Sequence, residues 1–362
     1  MTGLSPFITH GVLTLPQVYD DLVQHVQLTP GHKLVYELGW REYFRHVWAH
    51  RGEGIFESLH DGPLPESAYD RELPSDLRAA CTGVPVIDQA VRTLYATGYL
   101  HNHARMWLAS YAVHLRRVHW RAGADWMVAH LLDGDLASNH LSWQWVAGTG
   151  SHKPYLFNAE NVARYAPAAW HSPGTVVDQS YETLERIARG GYFPAQEVDA
   201  RVAASSCVEP LLHDTPASEL GVKSARLLDA RQLVGRSVWL VHPWALRAPP
   251  DDLPANTLVA GVYLRGFHQR WPWSQARWAW VDSAMAEITQ ERWWLDAGEL
   301  RALLSQAGSV RSLDDPHIGP ELRALARLDA PARLFSQVDR PCGSFSKWWS
   351  IASASVWERE KR

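Results

Sequence analysis

Two carboxylates, an amide and two indoles fall within one short segment, Asp133-Gly134-Asp135-Leu136-Ala137-Ser138-Asn139-His140-Leu141-Ser142-Trp143-Gln144-Trp145. Carboxylates and amides hydrogen-bond polar ring edges, and clustered indoles are suited to stacking or to carrying electrons. A flavin offers partners for all of these groups. Two further clusters share a helical spacing. Glu37, Trp40 and Arg41 stand at i, i+3 and i+4, so one helix face presents a carboxylate, an indole and a guanidinium together. Asn102, Arg105 and Met106 repeat that spacing in an otherwise apolar segment, where plain packing has no use for an amide and a guanidinium. Thr2, Ser5 and the turn after them offer hydroxyls and backbone N–H groups that suit a phosphate.

These groups must be held by the elements around them. From Pro16 to about Ala204 the pattern is helical, punctuated by turns at Gly52-Glu53-Gly54, Asp61-Gly62-Pro63, Thr82-Gly83 and Asp133-Gly134. Val84–Thr97 predicts a helix opening on Pro85, with Ile87, Val91, Leu94 and Tyr95 on one stripe. A second helix is expected from about Leu100 to Val118, and a third, Ala124–Leu132, leads into the polar cluster. After about Cys207 strand-like and helical runs alternate. Ser237–Val241, Thr257–Leu264, Arg292–Leu295, Val310–Leu313 and Arg333–Ser336 read as strands, and Gln275–Gln290, Glu299–Gln306 and Pro320–Leu328 as helices. That alternation predicts a parallel α/β sheet. It contains no GxGxxG and no P-loop, so no phosphate-binding motif marks it.

With 362 residues the chain has room for two cores, and 46% apolar and 20% charged residues are those of a folded, non-membrane protein. The start, Met1-Thr2-Gly3-Leu4, shows no apolar signal segment, so a cytoplasmic location is expected. Cys81, Cys207 and Cys342 are isolated and form no CxxC pattern, which excludes an iron–sulfur cluster and a zinc site; no metal is expected. A formal net charge of −4 excludes a bulk electrostatic nucleic-acid binder. Any DNA site must then be a local basic patch, for which Arg45, Arg51, Arg92, Arg116, Arg117 and Arg121 are available. Of the 19 tryptophans, Trp239, Trp244, Trp271, Trp273, Trp278, Trp280, Trp293 and Trp294 are expected in a core or interface. His101, His103, His140 and His152 read as structural.

Taken in order, the motifs resemble those of the cryptochrome/photolyase family. Glu37-Leu38-Gly39-Trp40-Arg41-Glu42-Tyr43-Phe44-Arg45-His46 resembles ELxWREFYRH, and Thr82-Gly83-Val84-Pro85-Val86-Ile87-Asp88 resembles TGxPxVD. Gly98-Tyr99-Leu100-His101-Asn102-His103-Ala104-Arg105-Met106 is similar to GWMHNRxRM, Asp133 through Trp145 to DGDLAxNNGGWQW, and Gly3-Leu4-Ser5-Pro6 to the LSP segment. The resemblance spans roughly residues 2–170. It implies an all-helical FAD-binding domain, here residues 1–204, followed by a Rossmann-like parallel α/β domain, residues 205–362; the fold class is α + α/β. The family's α/β antenna domain precedes its helical domain, so the strand–helix order of residues 237–336 suggests a permuted arrangement. Whether an antenna chromophore binds is left open.

The resemblance also implies roles. Thr2, Leu4, Ser5, Arg41, Asn102, Arg105, Asp133, Asp135 and Asn139 would hold FAD, with Arg105 paired to Asp133 and Asn139 facing flavin N5. Glu37, Trp40, Asn102, Met106 and Trp145 would form the wall receiving a flipped-out pyrimidine dimer. Trp143 and Trp120 match two members of an electron-transfer chain whose third position holds Tyr69 or a neighbour. His103 stands where the family usually has an arginine. The implied activity is light-driven splitting of cyclobutane pyrimidine dimers in UV-damaged DNA. The HNxxRM form lowers the (6-4) alternative. A cryptochrome-like blue-light receptor signalling through a protein partner, without repair, is the other reading.

Overall fold

The computed structural model describes residues 3–26, 28, 31–191 and 206–360. Contacts divide the chain into two compact units, Arg51–Leu211 and Thr2–His50 with Leu212–Arg362. The expected division at residue 204 falls outside the described residues, as does Thr2. The N-terminal segment, read from sequence with the helical domain, shares its cores with the second half instead. It forms α1 (Ser5–Thr9), α2 (Leu15–His25) and α3 (Lys33–Arg51). Thr14 caps α2 in a capping box with Gln17, and Pro16 occupies the first turn. The apolar stripe of α3, with Val35, Leu38 and Tyr43, needs a cover, and finds it in Leu334, Phe335, Phe345 and Trp348.

The helical unit contains α4 (Ser75–Arg78), α5 (Pro85–Thr97), α6 (Asn102–Ser110), α7 (Trp120–His130), α8 (Leu136–Ala147), α9 (Ala159–Tyr165) and α10 (Tyr181–Ala188). Helix α5 opens on Pro85 and ends on Gly98 in the left-handed conformation, as its sequence predicts. The expected helix from Leu100 to Val118 is interrupted: after α6, residues Tyr111–Leu115 form a wider i→i+5 turn, closed by Arg116 N donating to Tyr111 O. Helix α7 begins four residues earlier than Ala124, because His119 caps it by accepting from Arg121 N. Its core gathers Ile87, Leu94, Trp107, Leu108, Trp120, Trp143 and Val146.

The second unit holds a two-stranded piece, β1 (Leu212–His213) with β5 (Trp273–Ser274), and a six-stranded parallel sheet ordered β2-β6-β4-β3-β7-β8. The sheet strands are β2 (Lys223–Ser224), β3 (Ser237–Val241), β4 (Leu258–Leu264), β6 (Glu291–Leu295), β7 (Ser309–Leu313) and β8 (Arg327–Asp329). Register aligns Trp239 with Val259, and Val262 with Trp293. Between strands run α11 (Arg265–Arg270), α12 (Gln275–Ile288), α13 (Ala297–Leu304) and α14 (Gly319–Arg323); α15 (Phe345–Ala352) and α16 (Ala354–Glu360) follow. Two expectations shift. The last strand is Arg327–Asp329, inside the segment read as helix Pro320–Leu328. Arg333–Ser336 is not a strand; Leu334 and Phe335 face the core beneath α3. Seven of the eight tryptophans assigned to the core are buried, and Trp280 is partly so.

Strand order reverses between β3 and β7, the point where open parallel sheets place ligands. Here the carboxyl ends of those strands are occupied by the protein itself. His242 Nε2 lies 3.1 Å from Leu313 O, His317 Nδ1 lies 2.6 Å from Asp315 Oδ1, and Arg45 of α3 reaches Asp315 Oδ2 at 3.2 Å. His317 is stacked on Trp244 at 4.3 Å and meets the edge of Trp48 at 4.8 Å. Burial pushes the Asp315 carboxyl up, but Arg45 and His317 outweigh it and hold it well below the usual carboxylate range.

Candidate cofactor site

In the helical unit, two of the sequence clusters, Asn102–Met106 and Asp133–Trp145, are carried by α6, α8 and the loop into α8. Arg105 is aimed by its Nε, which donates to Leu100 O at 2.9 Å. Its Nη2 then reaches both Asp133 oxygens, at 3.0 and 2.8 Å. Asp133 is 7% exposed, so this is a nearly desolvated charge pair. Asp135, 1% exposed, caps α8 by accepting from Ser138 N at 2.8 Å. Asn139 donates its amide Nδ2 to Ala124 O of α7 at 2.8 Å. A carbonyl can only accept, so that bond fixes the amide's orientation and leaves Oδ1 as the atom for a further donor. The Ser138 hydroxyl is buried and has no hydrogen-bond partner. Asn102 is exposed at the start of α6, and its Nδ2 sits 3.6 Å from Met106 Sδ, so the amide and thioether form one surface.

The indoles of this unit separate into different environments. Trp143 is buried, and its six-membered ring lies against the Cα of Gly123, where any Cβ would collide with it. Gly123 is the i+3 neighbour of Trp120 on α7, which sets the two indoles along one helix face. Trp120 is also buried and donates Nε1–H to Ser58 Oγ at 3.0 Å. The His119 ring is in contact with both Tyr69, at 6.4 Å, and Trp120, at 5.6 Å. Trp145, by contrast, is 40% exposed and backed by Tyr155.

The second unit holds the remaining candidates. Leu4 precedes α1, and the Ser5 hydroxyl is buried without a hydrogen-bond partner. Glu37 is exposed on α3. Trp40 has one face covered by Phe345, stacked at 4.1 Å, so a base would have only its other face. Arg41 donates to Thr9 Oγ at 2.8 Å, which ties α3 to the end of α1.

The arginines expected to be available for a basic patch are mostly committed. Arg116 grips both oxygens of Asp76, Arg117 donates to Ala188 O and Ile187 O, Arg121 pairs with Asp125, and Arg92 donates to Ala80 O. His103 stacks on Trp107 at 5.7 Å, beside Tyr165. His140 is buried between Asp125 and Leu136 O, as a structural histidine. Sequence reasoning passed over Ser58, Glu66 and His119, which sit in no motif and are revealed only by contacts distant in sequence, and gave no role to Ser138 within the Asp133–Trp145 motif.

FAD presents a polar ring edge, hydroxyls and phosphates. Within the helical unit, a buried hydroxyl without a partner at Ser138, the Asn139 carboxamide and the Arg105–Asp133 pair are donor and acceptor types that fit such a group. Residues 34–202 match the FAD binding domain of DNA photolyase. Among curated relatives, a deoxyribodipyrimidine photo-lyase of Salmonella typhimurium is 30% identical over 212 residues, covering 50% of this chain and 42% of that protein. One from Synechococcus is 37% identical over 180 residues, covering 45% and 36%. A cryptochrome DASH of Gloeobacter violaceus is 37% identical over 122 residues, covering 33% and 24%. The chain thus spans less than half the length of these relatives. A solved archaeal photolyase from Sulfolobus tokodaii, described with two FAD molecules, aligns with TM-score 0.41 at 24% identity, over 56% of this chain and 49% of that one. Over residues 34–202 this chain thus carries a FAD-binding domain of the photolyase/cryptochrome family.

Proposed function

We propose that the protein is a light-driven DNA photolyase that splits cyclobutane pyrimidine dimers. The observation that carries this reading is the geometry of the helical unit: the Arg105–Asp133 pair, the capped Asp135 and an Asn139 amide fixed by Ala124, with an exposed indole, Trp145, on the same helix as Asn139. Bound there, FAD supplies light absorption and the one-electron chemistry that opens the cyclobutane ring.

The protein's own contribution is orientation. Arg105 and Asp133, fixed by each other, would hold the ring edge, and Asn139, its amide oriented by Ala124 O, would face flavin N5. Asp135, Asn102, Leu4, Ser5, Arg41 and Thr2 complete the cofactor contacts by resemblance. Trp145 offers its face to an unstacked base, a contact worth about 1–3 kcal/mol. Glu37, Trp40, Asn102 and Met106 are the other substrate residues by resemblance, Glu37 hydrogen-bonding the pyrimidine carbonyl edge. Trp143 and Trp120, with Tyr69 or a neighbour as the third member, would be the electron-carrying side chains by resemblance. We assign the parallel sheet of the second unit to the family's antenna-type domain in a permuted chain order, on the strength of its strand–helix alternation.

The family also contains receptors without repair activity, and His103 favours that second reading: its ring is engaged by Trp107 and Tyr165, where an arginine would reach for a phosphate. Purified protein with reduced flavin, illuminated with blue light beside a thymine-dimer oligonucleotide, decides between them. The photolyase reading expects dimer loss in the light only, and loss of repair with retained flavin in Glu37→Ala. Flavin photoreduction with every dimer intact overturns it in favour of the receptor.

A further inference from the structure

Trp120, an indole of the proposed electron path, has its N–H tied to an ionisable group through two hydrogen bonds in series. Its Nε1–H donates to Ser58 Oγ at 3.0 Å, and Ser58 Oγ donates in turn to Glu66 Oε1 at 2.8 Å. Both donations run in the same direction, from indole to carboxylate. Trp120 is 3% exposed, whereas the Glu66 side chain is 55% exposed, so the chain leads from a dry interior to water. A cavity of about 900 Å³, lined by Ser58, Glu66, Arg71, His119 and Arg121 among others, opens at its outer end.

We propose that Ser58 and Glu66 form a proton exit for Trp120, releasing its indole proton when the ring loses an electron. The proposal rests on the light-driven reading, which supplies the oxidant, the photoexcited oxidised flavin acting through Trp143. The step balances. One electron passes from Trp120 to oxidised Trp143, which returns to its closed-shell state. The Trp120 ring, now a radical cation and a strong N–H acid, gives its Nε1 proton to Ser58 Oγ, and Ser58 gives its own hydroxyl proton to Glu66 Oε1. The products are a neutral tryptophanyl radical and a neutral Glu66 carboxyl. With its proton gone, the indole is a poor acceptor for the returning electron, so charge separation lasts longer.

The surroundings of Glu66 suit an acceptor. The hydrogen bond from Ser58 lowers its carboxyl below the ordinary glutamate value against the opposing effect of burial, and His119 and Arg71 add to the lowering. His119 Nε2 stands 3.6 Å from Oε1 and Arg71 3.3 Å from Oε2. The carboxylate is thereby kept ionised and ready to take a proton. A purely structural Ser58 would need only to accept from the indole, and would need no carboxylate held in the ionised form as its own acceptor.

Two measurements test the exit. In flavin-free protein, the indole N–H resonance of Trp120, assigned with Trp120→Phe, is expected to shift and to exchange faster with solvent in Ser58→Ala; an unmoved resonance overturns the bond on which the proposal stands. In flavin-loaded protein, flash absorption distinguishes the protonated from the deprotonated tryptophanyl radical by their different visible bands. Wild type and Ser58→Thr are expected to give the deprotonated band, with a slower rise in heavy water. Ser58→Ala and Glu66→Gln are expected to lose that band and to recombine faster, with flavin content unchanged. A deprotonated band of full size in both variants overturns the proton exit while leaving the light-driven reading intact. Wild type without any light-induced tryptophanyl signal overturns the electron path through Trp143 and Trp120, and the exit with it, while dimer repair by the reduced flavin is judged separately.

Discussion

Each unit builds a polar centre on an arginine–aspartate pair, and the two centres differ in what is left over. In the second unit, Asp315 meets Arg45 and His317, His317 is sandwiched by Trp244 and Trp48, and Ser312 Oγ donates to Leu240 O at 2.8 Å. In the helical unit, Asp133 meets Arg105, yet Ser138 beside it keeps a buried hydroxyl with no hydrogen-bond partner and Asn139 is turned so that its oxygen points away from its anchor. The first arrangement closes on itself at the place where parallel sheets usually take ligands; the second is incomplete without something else. Burial and charge are alike in both, so neither property marks a site by itself. The unfilled valence does.

The largest way to break this comparison is to remove the charges. Arg45→Met or Arg105→Met alone strands a buried carboxylate and is expected to cost about 3–5 kcal/mol in denaturant unfolding. Neutralising both partners, Arg45→Met with Asp315→Asn, or Arg105→Met with Asp133→Asn, is expected to recover most of that loss in either unit. Flavin binding separates them: the recovered Arg45/Asp315 double variant retains the flavin spectrum, and the recovered Arg105/Asp133 double variant loses it. Flavin retained by the latter would remove the distinction between the two centres.

What the sequence made legible follows from the range of the interactions. Helices α5, α6 and α7 were readable because periodicity sets them over short stretches of chain, and the Arg105–Asp133 pair because the order of the motifs implied it. Strands β3, β4, β6 and β7 were legible as apolar β-branched and aromatic runs between turns. The misplacement of the last strand has a local cause: Arg333–Ser336 carries the same apolar pair, Leu334 and Phe335, that a strand would, but tertiary packing under α3 claims it. The allegiance of α3, the Arg45–Asp315 pair and the Trp120–Ser58–Glu66 line were beyond reach, since each joins segments whose proximity only the folded chain creates.

A smaller effect sharpens the likeness between the units. One buried histidine in each, His114 against Val146 O and His242 against Leu313 O, is held down to about 4 by burial. Below the unfolded histidine value of about 6.5 the unfolded chain takes a proton that the folded chain refuses, so stability is complete above that pH and falls as pH drops towards 4. The slope is roughly 1 kcal/mol per pH unit for each histidine. Unfolding titrations between these limits are expected to flatten by a similar amount in His114→Gln and in His242→Gln. Asp315 adds no slope in this window, because the stabilisation from a depressed carboxyl is fully present above the ordinary value of about 4 and is lost only as pH falls below it. An unchanged slope in either variant would mean that the corresponding ring is solvated enough to protonate in the folded state.

The smallest expected effect returns to the difference, and there its sign matters more than its size. Ser312→Ala deletes a hydroxyl whose hydrogen bond to Leu240 O is made, and is expected to cost about 1 kcal/mol. Ser138→Ala deletes a buried hydroxyl whose hydrogen bond is not made, within the first turn of a helix where alanine is the better former, and is expected to raise the stability of the flavin-free protein by about 0.5–1 kcal/mol. Folded structure alone gives no reason for such a serine. A ligand does, and the same substitution is then expected to weaken flavin binding, read as a lower bound fraction at fixed flavin concentration. Opposite signs for stability and for affinity at one residue are what a group held in reserve for a cofactor produces. If Ser138→Ala destabilises the flavin-free chain and leaves binding untouched, the helical centre is closed on itself as well, and the cofactor must be sought through other groups.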